Sequence, residues 1–107
     1  MSTKKHIPYS DWQERLQVFS FSNQGRIASI ASEGLRVIEN KRLRNVKYYP
    51  QNKEEEMVIT LYDELETFRH QINTPSEIYI HENKEGKALI LEVVDHMSNP
   101  TYIRLFQ

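Results

Sequence analysis

The spacing of the apolar residues changes once along the chain, at Gly25. Before this glycine, Trp12, Leu16 and Phe19 recur at intervals of four and three residues, with mostly polar residues between them. This spacing places the three side chains on one stripe of an α-helix. Ser10 is a residue type that caps helix N-termini, and glycine is a residue type that ends helices. The pattern therefore predicts one helix that begins at Ser10 and ends just before Gly25.

After Gly25, apolar and polar residues alternate with the two-residue period of β-strands, and turn residues separate the runs. Two of these runs, residues 35–39 and 42–49, are separated by polar residues and are predicted to be distinct strands. The run 88–94 is apolar on both faces apart from Glu92. Continuous apolar character is typical of a central strand that is covered on two sides.

One helix followed by about seven strands, mostly linked by hairpin turns, predicts an α+β domain with a mostly antiparallel sheet. A sheet of this length in a small domain must bury one face. We therefore expect the sheet to curl into a roll or a half-open small barrel, with the N-terminal helix packed on it. The polar residues 1–8 are predicted to form a flexible tail, and residues 9–107 a single domain.

Composition removes several classes of site. The chain of 107 residues has no cysteine, which excludes disulfides, zinc–thiolate sites, iron–sulfur clusters and cysteine nucleophiles. Its three glycines are too far apart to form a glycine-rich phosphate loop. No apolar leader follows the N-terminus, and no run reaches the roughly 20 apolar residues of a membrane span. We therefore expect a cytoplasmic protein that uses no cofactor and does not enter membranes.

A set of short motifs extends from about residue 7 to the C-terminus. Its members are Ile7, Pro8, Trp12, Leu16, Phe19, Ser20, Gly25, Leu43, Arg44, Val46, His70, Ile72, Pro75, Arg104 and Phe106. In these residues the chain resembles a family of small uncharacterised bacterial proteins, catalogued as a domain of unknown function. The resemblance implies a stand-alone cytoplasmic domain in a bacterium. It implies no catalytic residue, because the family has no assigned activity.

One basic cluster, residues 41–49, combines cations with aromatic side chains. Arg42 and Arg44 are two residues apart and are expected to share a strand face, and Lys47 and Tyr48 follow them. Such a strand is able to follow a phosphate backbone while its rings stack on bases. The alternative is a solvated strand face, or an edge protected by charge. We favour the alternative, because a net charge of −1 provides no overall attraction for nucleic acid.

His70 is the titratable residue with the strongest claim to a functional role. Alternation places it between Phe68 and Ile72 on the side facing the core, where burial is expected to lower its pKa. One interpretation is a proton-transfer or ligand-binding histidine in a pocket, and the other is a half-buried structural histidine. We favour the second, because the sequence identifies no nucleophile or carboxylate beside it. A metal site would require His70 to meet His81 across a hairpin, a register that the sequence does not specify, and no metal site is predicted.

Three function classes follow from these observations. The leading hypothesis is a non-enzymatic module that binds a ligand or a protein, with a second copy or a partner protein joining an exposed sheet edge. The second is a weak nucleic-acid-binding domain that uses the basic strand 41–49, and the third is an enzyme that uses His70. No residue is assigned as catalytic. The candidate binding residues are Arg42, Arg44, Lys47, Tyr48 and His70.

Overall fold

The computed structural model describes residues 3–32, 35–51 and 55–106. These residues form one α-helix, one short 3-10 helix and eight β-strands. In chain order the elements are β1 Thr3–Ile7, the 3-10 helix Tyr9–Asp11, α1 Trp12–Asn23, β2 Ile27–Ser32, β3 Leu35–Tyr49, β4 Glu56–Tyr62, β5 Thr67–Asn73, β6 Pro75–Glu82, β7 Ala88–Asp95 and β8 Pro100–Leu105. The predicted α+β class with an antiparallel sheet is confirmed. Within these ranges, no helix has both the length and the apolar character needed to cross a bilayer.

All eight strands form one antiparallel sheet in the order β1-β6-β7-β8-β2-β3-β4-β5. The two edge strands are β1 and β5, and no ladder joins them among the described residues, so the sheet is not closed. A single residue, Thr74, connects β5 to β6 with a left-handed φ of 48°. Its N–H donates to the carbonyl of Glu55, and its carbonyl accepts from the N–H of His96. The corner is therefore hydrogen-bonded on both sides.

One face of the sheet, here called the inner face, carries the core, and the opposite face is called the outer face. Helix α1 adds its stripe of Trp12, Leu16 and Phe19 to this core, and the three side chains are only 1%, 2% and 4% exposed. The predicted stripe is confirmed. The indole of Trp12 lies edge-on to Tyr9 and Tyr48, with ring centroids 4.9 and 5.1 Å away. Such edge-to-face arrangements match the quadrupoles of the rings and add to the stabilisation from burial.

Helix α1 packs against the part of β3 that lies beyond the first residue of β2, Ile27, which pairs with Arg42. The N–H of Gly25 donates to the carbonyl of Leu43, and the N–H of Leu43 donates to the carbonyl of Arg26. Leu43 is the last residue of β3 that the segment leading into β2 reaches. Further along, the Oγ of Ser20 accepts the N–H of Val46 at 2.8 Å. The same hydroxyl is within donating distance of two carbonyl oxygens, that of Leu16 at 2.8 Å and that of Val46 at 3.2 Å. One side chain of the helix thus replaces the missing strand as the hydrogen-bond partner of β3.

The segment predicted to be a flexible tail contains strand β1. Thr3–Ile7 pairs with β6, so that Ile7 lies opposite Ile78. Four of its five side chains are exposed, which explains why its composition suggested a tail. The strand is held by backbone pairing and by one buried anchor, Ile7, whose carbonyl accepts the indole N–H of Trp12 at 3.0 Å. The N-terminal part of the prediction is therefore corrected.

Two further boundaries differ from the prediction. Ser10 does not cap α1, because it lies inside the 3-10 helix that precedes the α-helix. The two predicted runs 35–39 and 42–49 form one strand, β3, which passes through Asn40 with a positive φ of 54°. Asparagine tolerates this left-handed conformation better than most residues, so the strand bends there without ending. The predicted end of the helix is confirmed, since Gly25 follows α1 with a φ of 87°.

Candidate anion-binding surface on strands β3 to β5

A β-bulge at Arg44 determines which side chains of β3 face outward. The ladder with β4 is regular on both sides of this residue and shifts register between Leu43 and Asn45. A bulge sets two residues of one strand opposite one residue of its partner and re-aims their side chains. Arg44 and Asn45 consequently share the outer face, and Lys47 follows on the same face.

The outer face has a hollow of about 220 Å³ at this place, here called the basic hollow. It spans three neighbouring strands, because Thr60 of β4 lies opposite Asn45 on one side and Arg69 of β5 on the other. Its lining residues are Arg44, Asn45, Lys47, Tyr49, Val58, Thr60, Thr67 and Arg69. The hollow therefore combines three cations with the hydroxyl groups of two threonines and one tyrosine and with one side-chain amide.

The cations of the basic hollow have no acidic partner among the residues that the structure describes. In the part of the chain that the structure describes, none of the ion pairs includes Arg44, Lys47 or Arg69. The guanidinium of Arg44 lies over the ring of Tyr62, 4.6 Å from its centroid, which holds the side chain along the surface. Glu56 lies across the ladder from Tyr49, at one end of the hollow, and does not line it. Like charges that are gathered without counter-charges raise the local positive potential.

A second polar cluster on the outer face shows the opposite arrangement. Glu92 of β7 is only 8% exposed, and its Oε1 lies 2.9 Å from Nε2 of His81 and 3.5 Å from Nζ of Lys4. Lys4 also lies over the ring of Tyr79, 4.3 Å from the centroid. Here Lys4 and the imidazole of His81 flank a carboxylate from the same chain, so the charge of Lys4 is already compensated. The basic hollow differs because no described acidic side chain compensates the charge of its three cations.

Two of the predicted binding residues, Arg44 and Lys47, line the basic hollow, and two others on the same strand do not. Arg42 donates from Nη1 to the carbonyl of Gly25 at 2.9 Å, beside the start of β2. Tyr48 is 8% exposed on the inner face, and burial raises the pKa of its hydroxyl. Tyr48 is therefore a core residue that cannot stack on a base. The bulge is the reason, because it shifts the alternation of β3 by one residue and brings Tyr49 outward.

His70 lies on the inner face of edge strand β5, opposite Ile59 in the ladder. It is half-buried, and burial lowers its pKa, as predicted. No hydrogen bond joins its ring to any side chain within residues 3–32, 35–51 and 55–106. His81 faces outward and pairs with Glu92, so the two histidines do not meet. The described residues contain no group of three histidine or acidic side chains arranged to hold a metal ion.

Comparison of the chain with protein-family models, with curated proteins and with solved structures finds no match. Membership of the uncharacterised bacterial family stays a prediction.

The polar lining residues that lie outside the predicted basic cluster 41–49 are Thr60, Thr67 and Arg69. Alternation in β5 puts Arg69 on the face opposite His70, which agrees with the structure. Sequence patterns do not give the register between β3, β4 and β5, and only the register brings Arg69 to Thr60 and Asn45. The sequence offers one indication of the hollow, because Lys47 and Arg69 are cations on β3 and β5, the two strands that flank β4.

Proposed function

We propose that the protein is a non-enzymatic binding module and that the basic hollow holds a phosphate group of its ligand. The observation that carries this proposal is the gathering of Arg44, Lys47 and Arg69 around a hollow without an acidic partner among the described residues. Arginine binds phosphate oxygens through paired N–H groups, and lysine adds a compact charge. The hydroxyls of Thr60 and Thr67 are additional donors at the same place.

The composition of the hollow favours binding over catalysis. Its lining contains no histidine, carboxylate or thiol, which are the side chains that most often transfer protons in general acid–base catalysis. His70, the predicted candidate for proton transfer, belongs to the inner face of β5 and is separated from the hollow by the sheet itself. Both features support a site that neutralises charge and leaves its ligand chemically unchanged.

We also infer that the sheet curls as a roll, so that the outer face is convex. The one-residue connection at Thr74 supports this inference, because it joins an edge strand to the second strand from the opposite edge. Two strands so far apart in a flat sheet would need a longer connection. On a convex face the hollow is open to a ligand much larger than the phosphate it holds.

Single-stranded nucleic acid is the second candidate ligand. The observation that favours it is that Tyr49 lines the hollow beside the cations and has a half-buried ring. Sheet surfaces that bind single strands combine cations that contact the backbone with aromatic rings that stack on bases. A mononucleotide or an inorganic phosphate would use the cations alone.

The test is a titration of isotope-labelled protein followed by amide chemical shifts, with inorganic phosphate, a mononucleotide and a single-stranded oligothymidine as separate probes. Phosphate should shift the amides around Thr60 and Arg69 and leave those of β7 unchanged. Arg69→Gln should weaken binding about tenfold or more, because a hydrogen bond to a charged group is worth roughly 1.5–3 kcal/mol.

Arg36→Gln is the matched control, since it removes the same charge from an exposed arginine that already pairs with Glu39 at 2.9 Å. It should leave the affinity nearly unchanged. Equal effects of Arg69→Gln and Arg36→Gln, or no shift with any of the three probes, would overturn the proposal. Oligothymidine binding that is much tighter than mononucleotide binding and is lost in Tyr49→Ala would favour the second candidate.

A further inference from the structure

On the free side of edge strand β5, four residues have backbone groups that bond to no other described part of the chain. Two backbone bonds, one just before and one just after β5, show which of its residues direct their backbone groups to β4. The carbonyl of Glu66 accepts the N–H of Asp63, and the N–H of Thr74 donates to the carbonyl of Glu55. The register between β4 and β5 is unbroken, and backbone groups alternate sides along a strand. The residues whose N–H and C=O groups point to the free edge are therefore Thr67, Arg69, Gln71 and Asn73.

A second copy of the same strand fits this edge in one symmetric register. If two β5 strands run antiparallel about a two-fold axis at His70, Arg69 lies opposite Gln71 and Thr67 opposite Asn73 of the other chain. All four residues with free backbone groups then form hydrogen-bonded pairs, as the antiparallel ladder requires. A shift by two residues in either direction would leave at least one of them without a partner.

The side chains are compatible with this register on both faces. On the inner face Phe68 lies opposite Ile72 of the second copy, which extends the apolar core across the axis. Burial lowers the pKa of His70, so the two imidazoles on the axis are uncharged near neutral pH. On the outer face the only charged residue of β5, Arg69, faces a neutral glutamine. Like charges directly opposite one another, which destabilise a ladder, do not occur in this pairing.

We propose that the protein forms a two-fold symmetric dimer through β5, with the His70 residues of the two chains facing each other on the axis. The other edge is a poorer site, because β1 has only five residues and carries Lys4 and Lys5. Short length and lysines are the features by which natural sheets prevent edge pairing. Strand β5 has seven residues, no bulge and no lysine.

Dimerisation through β5 would bring two basic hollows together on one continuous outer face. Thr67 and Arg69 line the hollow and also belong to the pairing edge. The two hollows would then flank the axis and present six cations to a ligand that carries several phosphates. The dimer itself does not depend on the proposed ligand, because its contacts are made by the backbone and by the inner face.

Sedimentation equilibrium of the purified chain over a range of concentrations is the direct test. Gln71 lies opposite Arg69 of the second copy, so Gln71→Glu should tighten the dimer and Gln71→Arg should weaken it. With two symmetric pairs per dimer, each substitution should change the dissociation constant by about 2- to 30-fold, in opposite directions. Gln71→Ala lacks the bond from Gln71 Nε2 to Asn73 Oδ1 and introduces no charge, so it is the reference for both variants.

A backbone test uses Gln71→Pro and its control Gln71→Ala. The N–H of residue 71 points to the free edge, so proline there removes a donor from the dimer and none from the ladder with β4. Gln71→Pro should be monomeric and folded, and Gln71→Ala should still dimerise. Amide exchange at Arg69 and Gln71 should slow as concentration rises, while exchange at His70, which bonds to β4, should not depend on it. A wild-type chain that stays monomeric at millimolar concentration, or a dimer whose strength is the same in all four variants, would overturn the proposal.

Discussion

Ser20→Ala tests how the helix is joined to the sheet. The hydroxyl of Ser20 is the acceptor for the N–H of Val46, at a place on β3 that β2 does not reach. Val46 is 2% exposed and Ser20 is 9% exposed, so water cannot replace the lost oxygen without entering the core. The substitution therefore leaves a buried backbone donor without a partner.

The magnitude follows from two opposing effects. A buried donor that loses its acceptor costs about 1–3 kcal/mol, and alanine regains about 0.5 kcal/mol through its higher helix propensity. We expect a net loss of about 0.5–2.5 kcal/mol, which is a substantial share of the roughly 5–15 kcal/mol by which domains are stable. Each kcal/mol should lower the melting temperature by about 4–8 °C in a domain of this size.

Thermal unfolding followed by circular dichroism measures this loss, and Ser22→Ala is the matched control. Ser22 lies in the same helix and is exposed, so its replacement should leave the melting temperature unchanged or slightly raised. Amide exchange supplies a local measurement, because the N–H of Val46 should exchange faster in Ser20→Ala than in the wild-type protein. If Ser20→Ala has the same melting temperature as Ser22→Ala, and the Val46 amide keeps its protection from exchange, the hydroxyl of Ser20 does not hold β3.

Two further predictions concern the inner face. Trp12→Ala should destabilise the fold by about 3–5 kcal/mol in urea unfolding, because the indole is 1% exposed and bonds to the carbonyl of Ile7. An unchanged urea midpoint would contradict its position in the core. For His70, burial lowers the pKa in the folded state, so the folded protein favours the neutral imidazole. Its contribution to stability is complete above the unfolded pKa of about 6.5 and is lost as the pH falls through the lower folded-state pKa. His70→Leu should remove this acid sensitivity, and an NMR titration that puts the imidazole pKa near or above 6.5 would refute the assignment.

The parts of the fold that the sequence predicted are those that depend on local periodicity. The stripe of Trp12, Leu16 and Phe19 is visible because a helix repeats its buried face every three or four residues. The strand 88–94 is visible because a central strand is apolar on both faces, and β7 indeed lies between β6 and β8 with Glu92 buried. Both features follow from a few adjacent residues, without knowledge of the partner strands.

The parts that the sequence did not predict depend on partners distant along the chain. β1 resembles a tail because its stability comes from the backbone of β6 and from one apolar residue, Ile7. The basic hollow depends on the register of three strands, so Arg44 and Lys47 were found but Arg69 was not. Tyr48 was named as a candidate binding residue, but the bulge, which the sequence does not reveal, turns its side chain to the core.

The bulge at Arg44 connects the core of the protein to its proposed binding site. Inside the sheet it brings Val46 and Tyr48 to the core, and it leaves the N–H of Val46 directed at Ser20. Outside the sheet it sets Arg44 and Lys47 on one face. A β3 without the extra residue would turn every later side chain to the other face, so that Lys47 would enter the core and Tyr48 would face solvent. Burying a lysine without a partner is costly, so this alternative register is disfavoured. The packing of Trp12 against Tyr48 fixes the inward position of Tyr48, and with it the outward position of the neighbouring Lys47.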